Sequence, residues 1–191
     1  PQDMRYVKLN TNESPFPPPR RIADAVQAEA GALNLYSDPE STALTQTIAD
    51  FYGVRPGQVL MTNGSDEILN FAFLAFGDAA HPFVFPDVTY SFYEVFCTLN
   101  QVPYETIPLR EEFTIDYKDY CGINKHIVIA NPNAPSGLIL PLSEIEEIVR
   151  TNPDNVVIID EAYIDFGGES ALALLPKYEN LLVTRTFSKS R

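Results

Sequence analysis

Polar side chains able to hold and activate an aromatic ligand stand at the C-terminal ends of three apolar, strand-like runs. Residues 126–130 open into Asn131-Pro132-Asn133, residues 156–160 end in Asp160-Glu161-Ala162-Tyr163, and residues 181–186 run on to Ser188-Lys189. An open parallel sheet gathers its ligand groups at the carboxyl edge of its strands, so an amide, a carboxylate, a phenol and an amine would share one mouth. Asp160 follows Val156-Val157-Ile158-Ile159, which puts its carboxylate at the lip of a dry core. A carboxylate there needs a cation or several donors; the protonated nitrogen of an aromatic ring would serve, and Asp160 could equally be a helix N-cap. Tyr163, three residues on, could return to the mouth and address a ring hydroxyl, or be an ordinary half-buried tyrosine. Lys189 in a partly desolvated site would be an amine with a lowered pKa, able to form a Schiff base. In water it would be a surface lysine.

Two further segments suit the same ligand. In Asn63-Gly64-Ser65-Asp66-Glu67, between an expected strand and an apolar helix, Gly64 permits close backbone approach. First-turn amides at Ser65 and Asp66, with the helix dipole, favour a phosphate, although strand–glycine–helix junctions are common in α/β proteins. No GxGxxG or GK[ST] occurs in the chain, so neither standard nucleotide fingerprint applies. Tyr90 starts a helix after a strand, where its ring could stack on a ligand or pack in the core. Asn131-Pro132-Asn133-Ala134-Pro135-Ser136-Gly137 is a rigid turn able to aim one amide into the mouth.

The elements that must position these groups alternate along the chain. Residues 1–19 form an extended arm, because Pro15-Phe16-Pro17-Pro18-Pro19 excludes helix. Helices are expected over 20–30 (Ile22, Val26 and Ala30 on one stripe), 41–52 (ended by Gly53), 66–76, 90–99 and 143–150. The last carries the capping-box pattern Ser143-Glu144-Ile145-Glu146. Strands are expected over 58–62, 82–85, 103–107, 126–130, 156–160 and 181–186. Such alternation predicts βαβ units and an open, mainly parallel, doubly wound α/β sheet.

Composition narrows the class. With 191 residues and 45% hydrophobic content the chain can build one sizeable core. A net charge of −13 argues against sequence-independent nucleic-acid binding. No run approaches the roughly 20 apolar residues of a membrane span, and the first five residues lack a signal-peptide core. Cys97 and Cys121 have no metal-ligand spacing and read as free thiols, so the expected location is cytoplasmic.

Taken together, these segments resemble the pyridoxal-phosphate aminotransferases of fold type I, and within them the histidinol-phosphate aminotransferase branch. Leu9-Asn10-Thr11-Asn12-Glu13-Ser14-Pro15 is similar to that branch's N-terminal arm, and Leu35-Tyr36-Ser37-Asp38-Pro39 to its tyrosine loop. Asn63–Glu67, 131–137, 160–166 and 185–189 follow in the family's order; Asp160-Glu161-Ala162-Tyr163 and Thr186-Phe187-Ser188-Lys189 are the most specific. The resemblance implies pyridoxal 5'-phosphate as cofactor, with Lys189 holding it as a Schiff base and moving the substrate α-proton. It implies Asp160 on the pyridine nitrogen, Asn133 and Tyr163 on the ring hydroxyl, and Tyr90 stacked on the ring. Gly64, Ser65, Asp66, Ser188 and Thr186 would surround the phosphate, joined by Tyr36 from a partner subunit in a homodimer.

The reaction implied is transamination between histidinol phosphate and 2-oxoglutarate, in histidine biosynthesis. The alternatives are a related cofactor enzyme, such as an aromatic aminotransferase or an amino-acid-phosphate decarboxylase, or a non-catalytic module of the same fold. The division implied is an arm and first helix (1–30) followed by the cofactor-binding large domain (31–191), without the small C-terminal domain. Two features depart from the family pattern. Ala134 stands where the family often has asparagine, leaving Asn133 as the candidate amide. The chain stops at Arg191, too soon after Lys189 for the family's next phosphate-binding arginine. In this family a later antiparallel strand pairs with the first, so residues 58–62 would lack a partner and residues 1–191 alone are expected to be inactive.

Overall fold

The computed structural model describes residue 7 and residues 10–190. Leu9 of the arm motif and Arg191 therefore lie outside the described residues. The chain divides into two compact units, one comprising residues up to 61 with those from 187, the other residues 62–186.

The first unit carries helices α1 (Arg20–Glu29) and α2 (Thr42–Tyr52). Pro19 precedes α1, and the expected stripe of Ile22 and Val26 lies on it, exposed to solvent. The start of α2 is capped from a distance: the Asp38 carboxylate accepts the Thr42 amide at 2.7 Å and the Glu40 amide at 3.0 Å. Gly53 ends the helix at φ 68°, its N–H returned to the Ala49 carbonyl, in the left-handed geometry that glycine adopts without steric cost. Residues 58–62, expected as a strand, are not one. A 3-10 turn covers Pro56–Gln58, and Val59 is extended but pairs with no strand among the described residues. Apolar alternation supplies the local preference; the ladder that makes a strand must come from a neighbour.

The second unit is a five-stranded sheet. Its strands are β1 (Phe83–Pro86), β2 (Tyr104–Ile107), β3 (His126–Ala130), β4 (Val157–Asp160) and β5 (Leu181–Thr184), in the order β2-β1-β3-β4-β5 with every pairing parallel. Helices α3 (Ser65–Phe76) and α4 (Phe92–Leu99) pack on one face and α5 (Leu142–Thr151) on the other. Strand alternation sorts the core accordingly. Ile127, Ile129, Val157 and Ile159 join Ile145, Ile148 and Val149 of α5. Phe83, Phe85, Val128 and Ile158 join Leu69 and Phe73 of α3 and Tyr93, Phe96 and Cys97 of α4. This is the doubly wound architecture the alternation predicts.

A second local expectation fails. Helix α5 begins at Leu142 behind Pro141, so Ser143 sits inside the first turn and makes no cap hydrogen bond. Pro141, at φ −59°, is already near helical φ and starts the helix one residue early.

Candidate active site

The strand order reverses between β1 and β3, and such a switch point is where open α/β sheets bind ligands. The loops that follow these two strands are laced together there. Thr89 Oγ1 donates to Asn133 Oδ1 at 2.8 Å, and Asn133 Nδ2 donates to the Val88 carbonyl at 3.0 Å and to Ser136 Oγ at 3.1 Å. Asn133 is buried, and both its amide hydrogens already have acceptors in this arrangement. Asn131, two residues earlier, also braces the loop. Its side chain donates to the Leu140 carbonyl at 3.0 Å and accepts the Leu140 amide at 2.8 Å, closing the base of the loop like a short ladder.

Asp160 occupies the last position of β4, in register with Ala130 on β3 and Thr184 on β5. It shares the strand face of Ile158, toward α3 and α4, and is 4% exposed. Its carboxylate accepts three hydrogen bonds: from Tyr93 Oη to Oδ2 at 2.8 Å, from Thr184 Oγ1 to Oδ1 at 3.1 Å, and from the Ala162 amide to Oδ1 at 3.2 Å. The Ala162 contact is the local turn bond that a capping role would give, but the chain continues into a 3-10 turn at Ile164–Phe166 and not an α-helix. Burial pushes the Asp160 carboxyl up from its ordinary value. Tyr93, Thr184 and the Ala162 amide pull it back, and the Asp66 charge adds to the rise. All three donors are neutral groups aimed at an acceptor, which suits an ionised carboxylate facing a cationic N–H.

Around this carboxylate stand phenols and the N-terminus of α3. Tyr90 Oη donates to Asp66 Oδ1 at 2.9 Å, tying the β1–α4 loop to the first turn of α3. Burial first, then the hydrogen bond to Asp66 and the nearby Asp66 and Asp160 carboxylates, push the Tyr90 phenol well up. The Tyr90 ring stacks on Phe92 (5.6 Å, 15°) and meets Tyr93 edge-on (5.6 Å, 82°). Gly64 precedes α3 at φ 81°, with open space where a Cβ would stand. Glu67 reaches back from the first turn to accept the Asn63 amide at 2.7 Å. The amides of Ser65 and Asp66 thus open a helix whose entry needs glycine, a geometry suited to a phosphate.

The residue after Asp160 anchors the next loop. Glu161, 2% exposed, accepts from the Ala171 amide at 2.6 Å and Ser170 Oγ at 2.8 Å, with Arg185 Nη1 at 3.5 Å. Arg185 also donates to Asp165 Oδ1 at 2.9 Å. The strand end that leads toward Lys189 is therefore bound to the loop after Asp160 through two carboxylates.

The second unit therefore holds Gly64, Ser65, Asp66, Tyr90, Asn133, Asp160, Tyr163 and Thr186, and hydrogen bonding links Asp66 with Tyr90. Ser188 and Lys189 lie in a turn of the first unit, where Tyr36 is fully exposed on its loop. Sequence reasoning passed over Tyr93, Thr184 and Thr89. Tyr93 was legible in principle, because a phenol on the stripe of Phe96 and Cys97 must find a partner once buried. Thr184 follows from aligning β5 beside β4 in parallel register.

Comparison with known proteins agrees with this geometry. The model of the family aminotransferase class I and II matches residues 5–191. Histidinol-phosphate aminotransferase of Pseudomonas syringae pv. syringae is 50% identical over 192 residues, covering 100% of this chain and 55% of its own length. Histidinol-phosphate aminotransferase 1 of Methylococcus capsulatus is 52% identical over 186 residues, covering 97% and 52%. The chain thus spans about half the length of the curated relatives it matches. Among solved structures, histidinol-phosphate aminotransferase from Sinorhizobium meliloti in complex with pyridoxal-5'-phosphate superposes with a TM-score of 0.86 at 25% identity, over 93% of this chain and 51% of that one. L-threonine-O-3-phosphate decarboxylase from Porphyromonas gingivalis shares the fold at a TM-score of 0.75 and 20% identity, over 90% and 54%. With a matched span that takes in nearly every residue and a parallel sheet ending in Asp160, the chain belongs to the aminotransferase class I and II family.

Proposed function

We propose that the full-length protein is a pyridoxal-phosphate-dependent aminotransferase that passes the amino group of histidinol phosphate to 2-oxoglutarate, giving imidazole acetol phosphate and glutamate in histidine biosynthesis. Pyridoxal 5'-phosphate is the cofactor; when bound it supplies an electron sink that makes the substrate α-proton acidic. The observation that carries the reading is Asp160: a buried carboxylate at the switch-point edge, supplied with neutral donors and suited to one cationic N–H. Relatives named for histidinol phosphate, about half identical across this chain, support that donor.

The roles follow from the chemistry of each group. Asp160 would keep the ring nitrogen protonated. Lys189 would hold the cofactor through Nζ and would move the substrate α-proton. Tyr163 would address the ring hydroxyl, Asn133, its amide hydrogens taken by Val88 and Ser136, would hold the loop beside it, and the Tyr90 ring would lie against the cofactor. Gly64, Ser65, Asp66, Thr186 and Ser188 bind the phosphate, with Tyr36 contributed by a partner subunit of a homodimer in the cytoplasm.

The test is direct. Purified full-length protein reconstituted with pyridoxal phosphate develops the visible absorbance of a lysine-linked cofactor, and Lys189→Ala abolishes it. Glutamate forms from histidinol phosphate and 2-oxoglutarate faster than from aromatic amino acids. A wild-type protein that gains no absorbance overturns the cofactor assignment, an absorbance that persists in Lys189→Ala overturns the role of Lys189, and preferred turnover of another donor overturns the substrate.

A further inference from the structure

Asp160 has two oxygens and about four acceptor positions, and the structure fills three of them unevenly. Oδ1 takes both Thr184 Oγ1 and the Ala162 amide, whereas Oδ2 takes Tyr93 Oη alone. The remaining position is on Oδ2, the oxygen that Tyr93 already touches. Tyr93 is completely buried and its ring is enclosed by aromatics: Phe73 stacked at 6.3 Å, with Phe85 and Tyr90 edge-on at 5.6 Å. Helix α4 presents it on the apolar stripe with Phe96 and Cys97, so the hydroxyl is held toward Asp160 by packing on every side.

We propose that Tyr93 is a positioning residue for the cofactor ring: its hydroxyl reserves Oδ2 of Asp160 for the ring nitrogen and sets how far the shared proton stays on the ring. The inference rests on the cofactor reading above and extends it to a residue that never touches substrate. A donor on the same oxygen withdraws electron density from it, so the carboxylate competes less well for the ring proton. With that donor gone, Oδ2 becomes more basic and draws the proton toward Asp160, leaving the ring a poorer electron sink.

The experiment uses the full-length protein loaded with pyridoxal phosphate carrying nitrogen-15 in the ring. In wild type the ring nitrogen resonates as a protonated pyridine. In Tyr93→Phe the visible lysine-linked absorbance is retained and the resonance shifts toward that of the neutral ring. Incorporation of 3-fluorotyrosine at position 93, a stronger donor of nearly the same shape, guards against a folding defect in the phenylalanine variant; it holds the resonance at or beyond the wild-type protonated position. If wild type binds cofactor but Tyr93→Phe leaves the resonance at the wild-type position, the role of Tyr93 is overturned while the cofactor assignment stands. If wild type binds no cofactor, both fall together.

Discussion

Removing the Glu161 carboxylate tests whether the loop after Asp160 is anchored from within the core. In Glu161→Ala the Ala171 amide, on a residue with no exposed surface, loses its acceptor at 2.6 Å. An orphaned buried donor costs roughly 1–3 kcal/mol. Ser170 Oγ also loses its partner, but that residue is only half-buried and water can replace it. Arg185 loses the Glu161 carboxylate and keeps Asp165 at 2.9 Å, so the ~3–5 kcal/mol of a fully broken buried pair is an upper bound. The expected loss is about 3 kcal/mol. Glu161→Gln retains an acceptor for the Ala171 amide and the side-chain volume, and the Ser170 hydroxyl can rotate to accept from the new amide; the expected loss is about 1 kcal/mol. Urea unfolding of the full-length protein, read by circular dichroism, gives both numbers. Equal stabilities for the two variants, or an alanine variant within about 0.5 kcal/mol of wild type, would refute the anchoring argument.

Further outcomes follow from the same geometry. Thr89→Val removes one hydrogen bond at the switch point and lowers stability by ~1 kcal/mol, Asn133→Ala by ~2–3 kcal/mol, and the double variant by no more than Asn133→Ala alone; additive losses in urea melts would show that the two do not share a network. His126 Nδ1 accepts the Val156 amide at 2.9 Å while Nε2 meets the Phe76 carbonyl at 2.9 Å, an arrangement open only to the neutral ring. Burial chiefly lowers its pKa below the ordinary value; His81 adds to the fall, and the Phe76 carbonyl and Asp78 oppose it. The unfolded chain therefore binds the proton first. The stability from His126 is complete above about pH 6.5 and is lost as pH falls through the depressed value. Stability measured from pH 8 to pH 5 falls less in His126→Gln than in wild type, and identical profiles would contradict this. Burial pushes the Cys97 thiol up to about 12, so iodoacetamide at pH 8 leaves it unlabelled in the native protein and modifies it only after denaturation.

The features of the fold that the sequence disclosed are those where one residue pattern has one physical outcome. The run from 156 to 159 could hardly be anything except a strand covered on both faces, and its terminal carboxylate had to lie at the sheet's edge. The same reasoning put Gly64 at the entry to α3 and Gly53 at the end of α2. What escaped depended on partners distant in sequence. Residues 58–62 have strand-like alternation, but a ladder is a property of two segments. Ser143 matched a capping pattern that Pro141 made unnecessary. Tyr93 looked like core because it is core; only the approach of β4 beneath α4 turns its hydroxyl into a partner of Asp160. Asn133 reads in the sequence as an amide aimed at a ring, whereas in the structure its side chain is engaged with Val88, Thr89 and Ser136.

One molecule of pyridoxal phosphate held at both ends by this chain is the central claim, and a crystal structure of the full-length protein grown with the cofactor decides it. Lys189 Nζ should be bonded to the aldehyde carbon of the same ring whose nitrogen donates to Asp160 Oδ2, with the phosphate on the amides of Ser65 and Asp66. A cofactor bonded to a different lysine, or a ring nitrogen that faces anything other than Asp160, would contradict it.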